Sequence, residues 1–157
     1  MFSPVRPAIL LVDDDKTLLS VLSRRVGRAG YEQMIGDDIR LSRLMYDMID
    51  THPELEGVSQ GLSITTFRYV PNELRDRTGA AEVSKYLNDL NSALVTHLQS
   101  SDELFISNAV VDGKYVLRAC ITNWRTEEQN VQAVPEIAAK VGAQLHGHMR
   151  KQMLVTK

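Results

Sequence analysis

The stretch LFISNAVVDGKYVLRACITN, residues 104–123, decides the fold because it encodes two strands and the turn that joins them. Residues 104–111 and 115–123 are rich in apolar, aromatic and β-branched side chains, which favour strands. Between them lies Asp112-Gly113, a dipeptide that tolerates the positive φ angles of a two-residue hairpin turn. The sequence therefore predicts an antiparallel pair of strands.

The segments before this hairpin predict a strand and a helix. GLSITTFRYV, residues 61–70, is rich in strand-forming residues, and Pro71 closes it because proline cannot continue a sheet interior. Residues 83–100 show the clearest helical pattern, because apolar residues recur at spacings of four, three, four and four. These apolar residues are Val83, Leu87, Leu90, Leu94 and Leu98.

A further helix is predicted after the hairpin, over residues 127–146. TEEQ, which starts at Thr126, matches a capping box in which Thr126 and Gln129 satisfy each other's free backbone donors. Pro135 lies inside the apolar pattern that follows, so we expect a kink or a short break where proline removes a helical hydrogen bond. Residues 146–157 are expected to fray.

The N-terminal part predicts one strand and two helices. Residues 8–12 are apolar and end at aspartates, which suits a buried strand, and a helical apolar period then runs from Lys16 to Gly27. Gly30 interrupts the pattern before a second amphipathic helix over residues 31–51.

The predicted fold class is α+β, with a small three-stranded and mainly antiparallel sheet and an N-terminal strand-helix leader. The three strands lie near residues 61–70, 104–111 and 115–123. One face of the sheet is expected to be covered by the helices over residues 83–100 and 127–146.

Composition and charge argue against several classes of protein. Eighteen basic and 20 acidic residues give a net charge near −2, which offers no basic field for nucleic acid or an anionic membrane surface. No apolar run approaches the roughly 20 residues that span a bilayer, and the N-terminus lacks a signal-peptide pattern, so we expect a cytoplasmic protein. The single cysteine, Cys120, rules out an internal disulfide and is expected to be buried on a strand.

The leader ILLVDDDKTLLSVL, residues 9–22, resembles the first strand and helix of a response-regulator receiver domain. In that family two adjacent acids, matched here by Asp13 and Asp14, help to bind Mg²⁺ beside a phosphoacceptor aspartate on a later strand. Where the acceptor should follow, Asp47 and Asp50 lie in a helical pattern instead. The resemblance therefore implies an incomplete leader with at most a weak Mg²⁺ site, and an alternative function as a truncated receiver-like signalling or protein-interaction module.

Residues 27–146 resemble a different family. Two stretches carry the resemblance: GRAGYEQMIGDDIRLSRLMYDMIDTHPELEGVSQGLSITTFRYVP and YLNDLNSALVTHLQSSDELFISNAVVDGKYVLRACITNWRTEEQNVQAVPEI. They closely resemble the C-terminal small domain of the group II pyridoxal-phosphate-dependent amino-acid decarboxylases. That family includes the aromatic-amino-acid, glutamate and diaminobutyrate decarboxylases. The resemblance implies two units: residues 1–26 as the leader, and residues 27–157 as a small domain like the one that ends fold-type I pyridoxal-phosphate enzymes.

What the resemblance implies about activity depends on the cofactor. In the family, a lysine that usually follows a histidine forms the Schiff base with pyridoxal phosphate in the large domain. None of the six lysines here follows a histidine, so we expect no catalytic residue and no pyridoxal phosphate bound to this chain alone. The chain is thus expected to be an inactive carboxy-lyase fragment that forms a homodimer or associates with a decarboxylase large domain.

Arg118 is the strongest candidate site residue. It lies in the middle of a predicted strand, where an unpaired guanidinium is costly to bury. The resemblance implies that it pairs with the substrate's α-carboxylate, which suits the planar two-pronged geometry of arginine. The alternative is a pair with an internal acid, or with solvent at a sheet edge. Weaker candidates are Arg68 and Tyr69 as contacts to a large domain, His146 and His148 as metal ligands, and Asp37 and Asp38 as groups near a helix start.

Overall fold

The computed structural model describes residues 16–101, 104 and 106–155 of the chain. The described residues form three α-helices, four strands and one 3₁₀ helix. In chain order these are α1 (Lys16–Thr51), β1 (Leu55–Gly61), β2 (Ile64–Tyr69), the 3₁₀ helix (Asn72–Arg77), α2 (Ala81–Ser100), β3 (Ser107–Val111), β4 (Lys114–Cys120) and α3 (Glu128–Val155).

The four strands form one antiparallel sheet in the order β1-β2-β4-β3. The predicted hairpin is confirmed, since Asp112 and Gly113 have φ angles of 50° and 77° and join β3 to β4. Positive φ at both central residues is the geometry that matches the twist of the paired strands. Cys120 lies on β4 as predicted, but it is partly exposed rather than buried.

The sequence predicts three strands, and this number is wrong by one because β1 is an additional strand. Its sequence, LEGVSQG, has Leu55 and Val58 as its apolar residues, and its register against β2 shifts between Gly57 and Ser59. An edge strand that is mostly polar and carries a bulge lacks the regular alternation that marks a strand in sequence.

The predicted helices after β2 are confirmed, but the end of α3 differs. α2 covers the predicted residues 83–100. α3 runs through Pro135 to Val155, so no short break interrupts it at the proline, and the helix continues beyond its predicted end at residue 146. Buried side chains on both sides of the proline pack into the core, and this packing outweighs the one lost helical hydrogen bond. In the described part of the chain, no helix is long and apolar enough to cross a membrane.

The cap of α3 forms one residue later than predicted. Asn130 Oδ1 accepts the backbone N–H of Glu127 at 2.8 Å, and Glu127 is the residue before the first helical one. Asn130 therefore has the role that the capping-box pattern gives to Gln129, whose amide instead donates to the Glu127 carboxylate.

α1 comprises two helical segments that meet at Gly27. The φ of Gly27 is 68°, in the left-handed region that glycine adopts most easily. The first predicted helix therefore ends where expected, and the second begins at this glycine rather than at residue 31. The predicted strand at residues 8–12 and the acids Asp13 and Asp14 lie outside the described residues.

β2 connects the sheet to the helices. Thr65, Phe67 and Tyr69 lie on the face that the helices cover, as the sequence predicts for one face of the sheet. The buried Asn91 of α2 accepts the backbone N–H of Tyr69 at 2.7 Å and donates to its carbonyl at 2.9 Å. The main core also includes Leu41, Met45 and Ile49 of α1, Leu90, Leu94 and Leu98 of α2, and Val131, Val134, Ala138 and Val141 of α3.

Gly142→Ala tests the contact between α3 and β2. An added Cβ would lie 2.5 Å from Cγ of Tyr69, so we expect the free energy of unfolding to fall by about 1–3 kcal/mol. Gly147→Ala on the same helix is the control, because nothing lies within 4 Å of its added Cβ and alanine favours a helix by about 1 kcal/mol over glycine. Denaturant unfolding measures both variants, and equal changes in stability would contradict this packing.

Candidate functional site

The sheet face opposite the helices carries a group of polar and charged side chains. Alternation along the strands places Thr66 and Arg68 of β2 on the same face as Lys114 and Arg118 of β4, and the register pairs Thr66 with Arg118. We call this surface the outer face. Its polar residues are Glu56, Ser59, Thr66, Arg68, Ser107, Lys114 and Arg118.

Arg118, the strongest candidate from the sequence, lies on the outer face with an exposed side chain. Its Nε donates to Ser107 Oγ at 3.2 Å. Among the described residues no carboxylate lies within ion-pair distance of Arg118, so the structure offers no internal acid there as its partner. Its two terminal nitrogens are placed where a carboxylate from another molecule or domain can reach them.

Glu56 of the edge strand β1 joins two cations on the outer face. Its Oε2 accepts from Arg68 Nε at 2.7 Å and lies 2.7 Å from Arg68 Nη2, and its Oε1 accepts from Lys114 Nζ at 2.6 Å. Burial acts to raise the pKa of Glu56, but the hydrogen bonds from Lys114 and Arg68, with their charges, outweigh it and hold this pKa below its usual range. The cluster of one carboxylate and two cations keeps an excess of positive charge.

Arg68 and Tyr69, which the sequence suggests as a pair of contacts to a large domain, lie on opposite faces of the sheet. The Arg68 side chain is only 2% exposed, and its Nη1 has no hydrogen-bond partner among the described residues. The Tyr69 hydroxyl donates to Glu54 at 3.1 Å, and burial together with this carboxylate raises the pKa of Tyr69. Of the two residues, only Arg68 belongs to the outer face.

The two candidate histidines are separated on α3. His146 is 9% exposed; its Nδ1 lies 2.6 Å from the Tyr86 hydroxyl and its Nε2 lies 2.9 Å from Glu73 Oε1. Arg150 also donates to Glu73, and the hydrogen bond from His146 is the main cause that lowers the pKa of Glu73. This network ties α3 to α2 and to the 3₁₀ helix. His148 is exposed and bonds the backbone of its own helix, so the histidines do not form a metal site.

The acidic candidates Asp37 and Asp38 offer no site either. Asp37 and Asp38 lie inside α1 rather than at its start. Burial and the neighbouring Asp37 raise the pKa of Asp38. Within the described ranges there is no group of three or more His, Cys, Asp or Glu residues that could hold a metal ion. The predicted Mg²⁺ ligands Asp13 and Asp14 lie outside those ranges.

Sequence reasoning does not identify Glu56 or Ser107 as site residues. Glu56 lies on the strand that the sequence does not reveal, and Ser107 is a common residue whose meaning depends on its cross-strand partner. The antiparallel hairpin supplies the one available signal: counting outward from its turn pairs Ser107 with Arg118.

Comparison with known proteins points to decarboxylases. No family model matches the chain. Tyrosine decarboxylase 1 of Narcissus pseudonarcissus is 24% identical over 137 residues, which is 84% of this chain and 26% of that protein. The chain spans about a quarter of the length of the curated relatives that it matches.

Solved structures show the same fold. Oryza sativa TDC with PLP and tryptamine superposes with a TM-score of 0.67 at 22% identity, over 81% of this chain and 26% of that one. Catharanthus roseus tryptophan decarboxylase in complex with L-tryptophan gives 0.65 at 22% identity, over 81% and 25%. The described fold is therefore the one found in part of these enzymes, and the sequence is similar to decarboxylases over part of their length.

Glu56→Gln tests the charge cluster on the outer face. In the parent chain the lowered pKa of Glu56 means that the unfolded state binds more protons than the folded state. Glu56 therefore stabilises the fold above pH 4.5, its value in the unfolded chain, and this stabilisation disappears as pH falls through the lower folded value. At pH 7 we expect the variant to be less stable by about 2 kcal/mol, since it leaves the buried Arg68 without a charged partner.

The measurement is denaturant unfolding of both proteins from pH 7 down to pH 3. The two stability curves should converge as the pH falls, whereas Glu136→Gln, at an exposed position of α3, should follow the parent curve. A constant difference between Glu56→Gln and the parent chain at every pH would contradict the role given to this carboxylate.

Proposed function

We propose that residues 27–157 form the C-terminal small domain of a group II pyridoxal-phosphate-dependent amino-acid decarboxylase, with residues 1–26 as a separate leader. The observation that carries this proposal is the exposed Arg118, which lies without a described acidic partner on a fold shared with decarboxylases of known structure. The sequence similarity to tyrosine decarboxylase 1 over 84% of the chain supports the same family.

In this proposal Arg118 binds the α-carboxylate of an amino-acid substrate. A guanidinium offers two parallel N–H donors to the two oxygens of a carboxylate, which fixes the orientation of the carboxylate as well as its position. Arg118 would thereby hold the carboxylate in one orientation toward a cofactor bound by another domain. The rigid antiparallel pairing of β4 with β2 and β3 holds the backbone of Arg118 in place.

Pyridoxal phosphate supplies the electron sink for decarboxylation when it is bound in this family. The four described lysine side chains do not fit such a site: Lys85 pairs with Asp89 at 2.9 Å, Lys114 pairs with Glu56 at 2.6 Å, and Lys140 and Lys151 are exposed on α3. We propose that a large domain outside these 157 residues holds the cofactor, and that this chain alone is inactive.

The outer face is the surface proposed to meet that large domain, either directly or within a homodimer. Two accessible cations, Lys114 and Arg118, lie on it, and the carboxylate of Glu56 is shared between Lys114 and the buried Arg68. A partner surface that presents carboxylates fits this excess of positive charge. In this proposal the chain contributes Arg118 to an active site whose cofactor is held by the large domain.

The first expected result concerns the chain by itself. Purified chain incubated with pyridoxal phosphate should give no visible-range aldimine band, no lysine adduct after borohydride reduction, and no CO₂ from aromatic or acidic amino acids. Absorbance, intact mass and CO₂ release measure these three properties. A borohydride-fixed lysine adduct together with CO₂ release would contradict the proposed inactivity.

The second expected result uses a chimera with a solved relative. Residues 27–157 replace the matching quarter of Catharanthus roseus tryptophan decarboxylase, and the decarboxylation of L-tryptophan is measured. Arg118→Lys in the chimera should lower kcat/KM by about 10- to 100-fold, because lysine keeps the charge but loses the two-pronged geometry.

Arg125→Lys is the matched control for the chimera. Arg125 lies beside Trp124 after β4, with its guanidinium 4.7 Å from the indole ring, and it is not on the outer face. Its substitution should leave kcat/KM within about twofold. A chimera that stays fully active with Arg118→Lys would contradict the carboxylate role of Arg118.

A further inference from the structure

Ser107 makes two hydrogen bonds to its cross-strand partner Arg118. Its hydroxyl donates to the carbonyl oxygen of Arg118 at 3.1 Å and accepts from Arg118 Nε at 3.2 Å. A serine hydroxyl has one proton and two lone pairs, and Arg118 Nε can only donate. The proton therefore goes to the carbonyl, a lone pair accepts Nε–H, and one hydroxyl links the backbone of Arg118 to its side chain.

The neighbour of Arg118 on its other side does not compete for the guanidinium. Thr66 is the partner of Arg118 on β2, but its hydroxyl lies 2.6 Å from Ser59 Oγ on β1. The carboxylate of Glu56, which also lies on the outer face, accepts from Arg68 at one oxygen and from Lys114 at the other, and it makes no ion pair with Arg118. Among the described residues, Ser107 is thus the one whose side chain bonds the Arg118 guanidinium.

We propose that Ser107 is a positioning residue that presents Arg118 to a carboxylate. With Nε engaged by Ser107, the edge of the guanidinium that can bind two carboxylate oxygens is the one formed by Nη1 and Nη2. Fixing the side chain in advance reduces the conformational entropy lost when a ligand binds. This inference rests on the proposed carboxylate role of Arg118, and it adds the residue that prepares Arg118 for that role.

The test uses the full chain labelled with ¹⁵N and compares Ser107→Ala, Ser107→Thr and the parent. The heteronuclear NOE of the Arg118 Nε–Hε group should be close to that of the sheet amides in the parent. It should drop well below them in Ser107→Ala and recover in Ser107→Thr, which restores a hydroxyl and favours a strand. Asn108→Ala, on the same strand but the opposite face, should not change it.

The same samples are then titrated with N-acetyl-L-phenylalanine, and with N-acetyl-L-phenylalaninamide as the uncharged control probe. The carboxylate, but not the amide, should shift the Arg118 guanidinium signals, with a Kd about three- to tenfold weaker in Ser107→Ala and near the parent value in Ser107→Thr. Unfolding curves recorded in parallel separate this effect from a general loss of stability.

The outcomes distinguish the two proposals. An unchanged Arg118 Nε–Hε NOE in Ser107→Ala, or an equal loss in Asn108→Ala, would overturn the positioning role of Ser107. An NOE that drops in Ser107→Ala and recovers in Ser107→Thr supports the positioning role of Ser107, whatever the titration shows. If the carboxylate shifts no signal of the parent chain, the proposed carboxylate role of Arg118 fails instead.

Discussion

The alternation of side chains along β2 determines which of its residues face the helices and which face the opposite side of the sheet. Phe67 and Tyr69 are buried against all three helices, and this burial forces Arg68 and Thr66 onto the opposite face. Because β4 pairs with β2 in a fixed register, the same constraint places Arg118 beside Thr66 on the outer face. A slip of one residue would move the arginines into the core and the aromatic side chains out of it.

The helices maintain this register through specific contacts with β2. The side chain of Asn91 on α2 hydrogen-bonds both the backbone N–H and the carbonyl of Tyr69. The Tyr69 ring lies against Gly142 of α3, where no side chain separates strand and helix. The buried Thr65 hydroxyl lies 2.9 Å from that of Ser42 on α1. α1 thus contacts β2 at Thr65, whereas α2 and α3 both contact it at Tyr69. All three contacts lie on one face of the sheet, and the polar side chains of β2 lie on the other.

Much of the fold follows from local sequence, whereas the site depends on distant partners. The Asp112-Gly113 turn, the strand at β2 and the spacing of leucines in α2 are local signals, and each predicts its element. β1 escapes prediction because its polar residues carry no alternation, and packing on both sides of Pro135 overrides the local cost of proline. The pairing of His146 with Glu73 spans 73 residues, a separation that no periodic pattern reveals.

The fold exposes the Arg118 side chain on the outer face and buries that of Arg68. Reaction of the native chain with phenylglyoxal, followed by peptide mass spectrometry, compares Arg118 with Arg68 directly. The structure predicts rapid modification of Arg118, and protection of Arg68, whose side chain is 2% exposed, until the chain is unfolded. Similar rates at the two arginines in the folded chain, or a protected Arg118, would contradict the account.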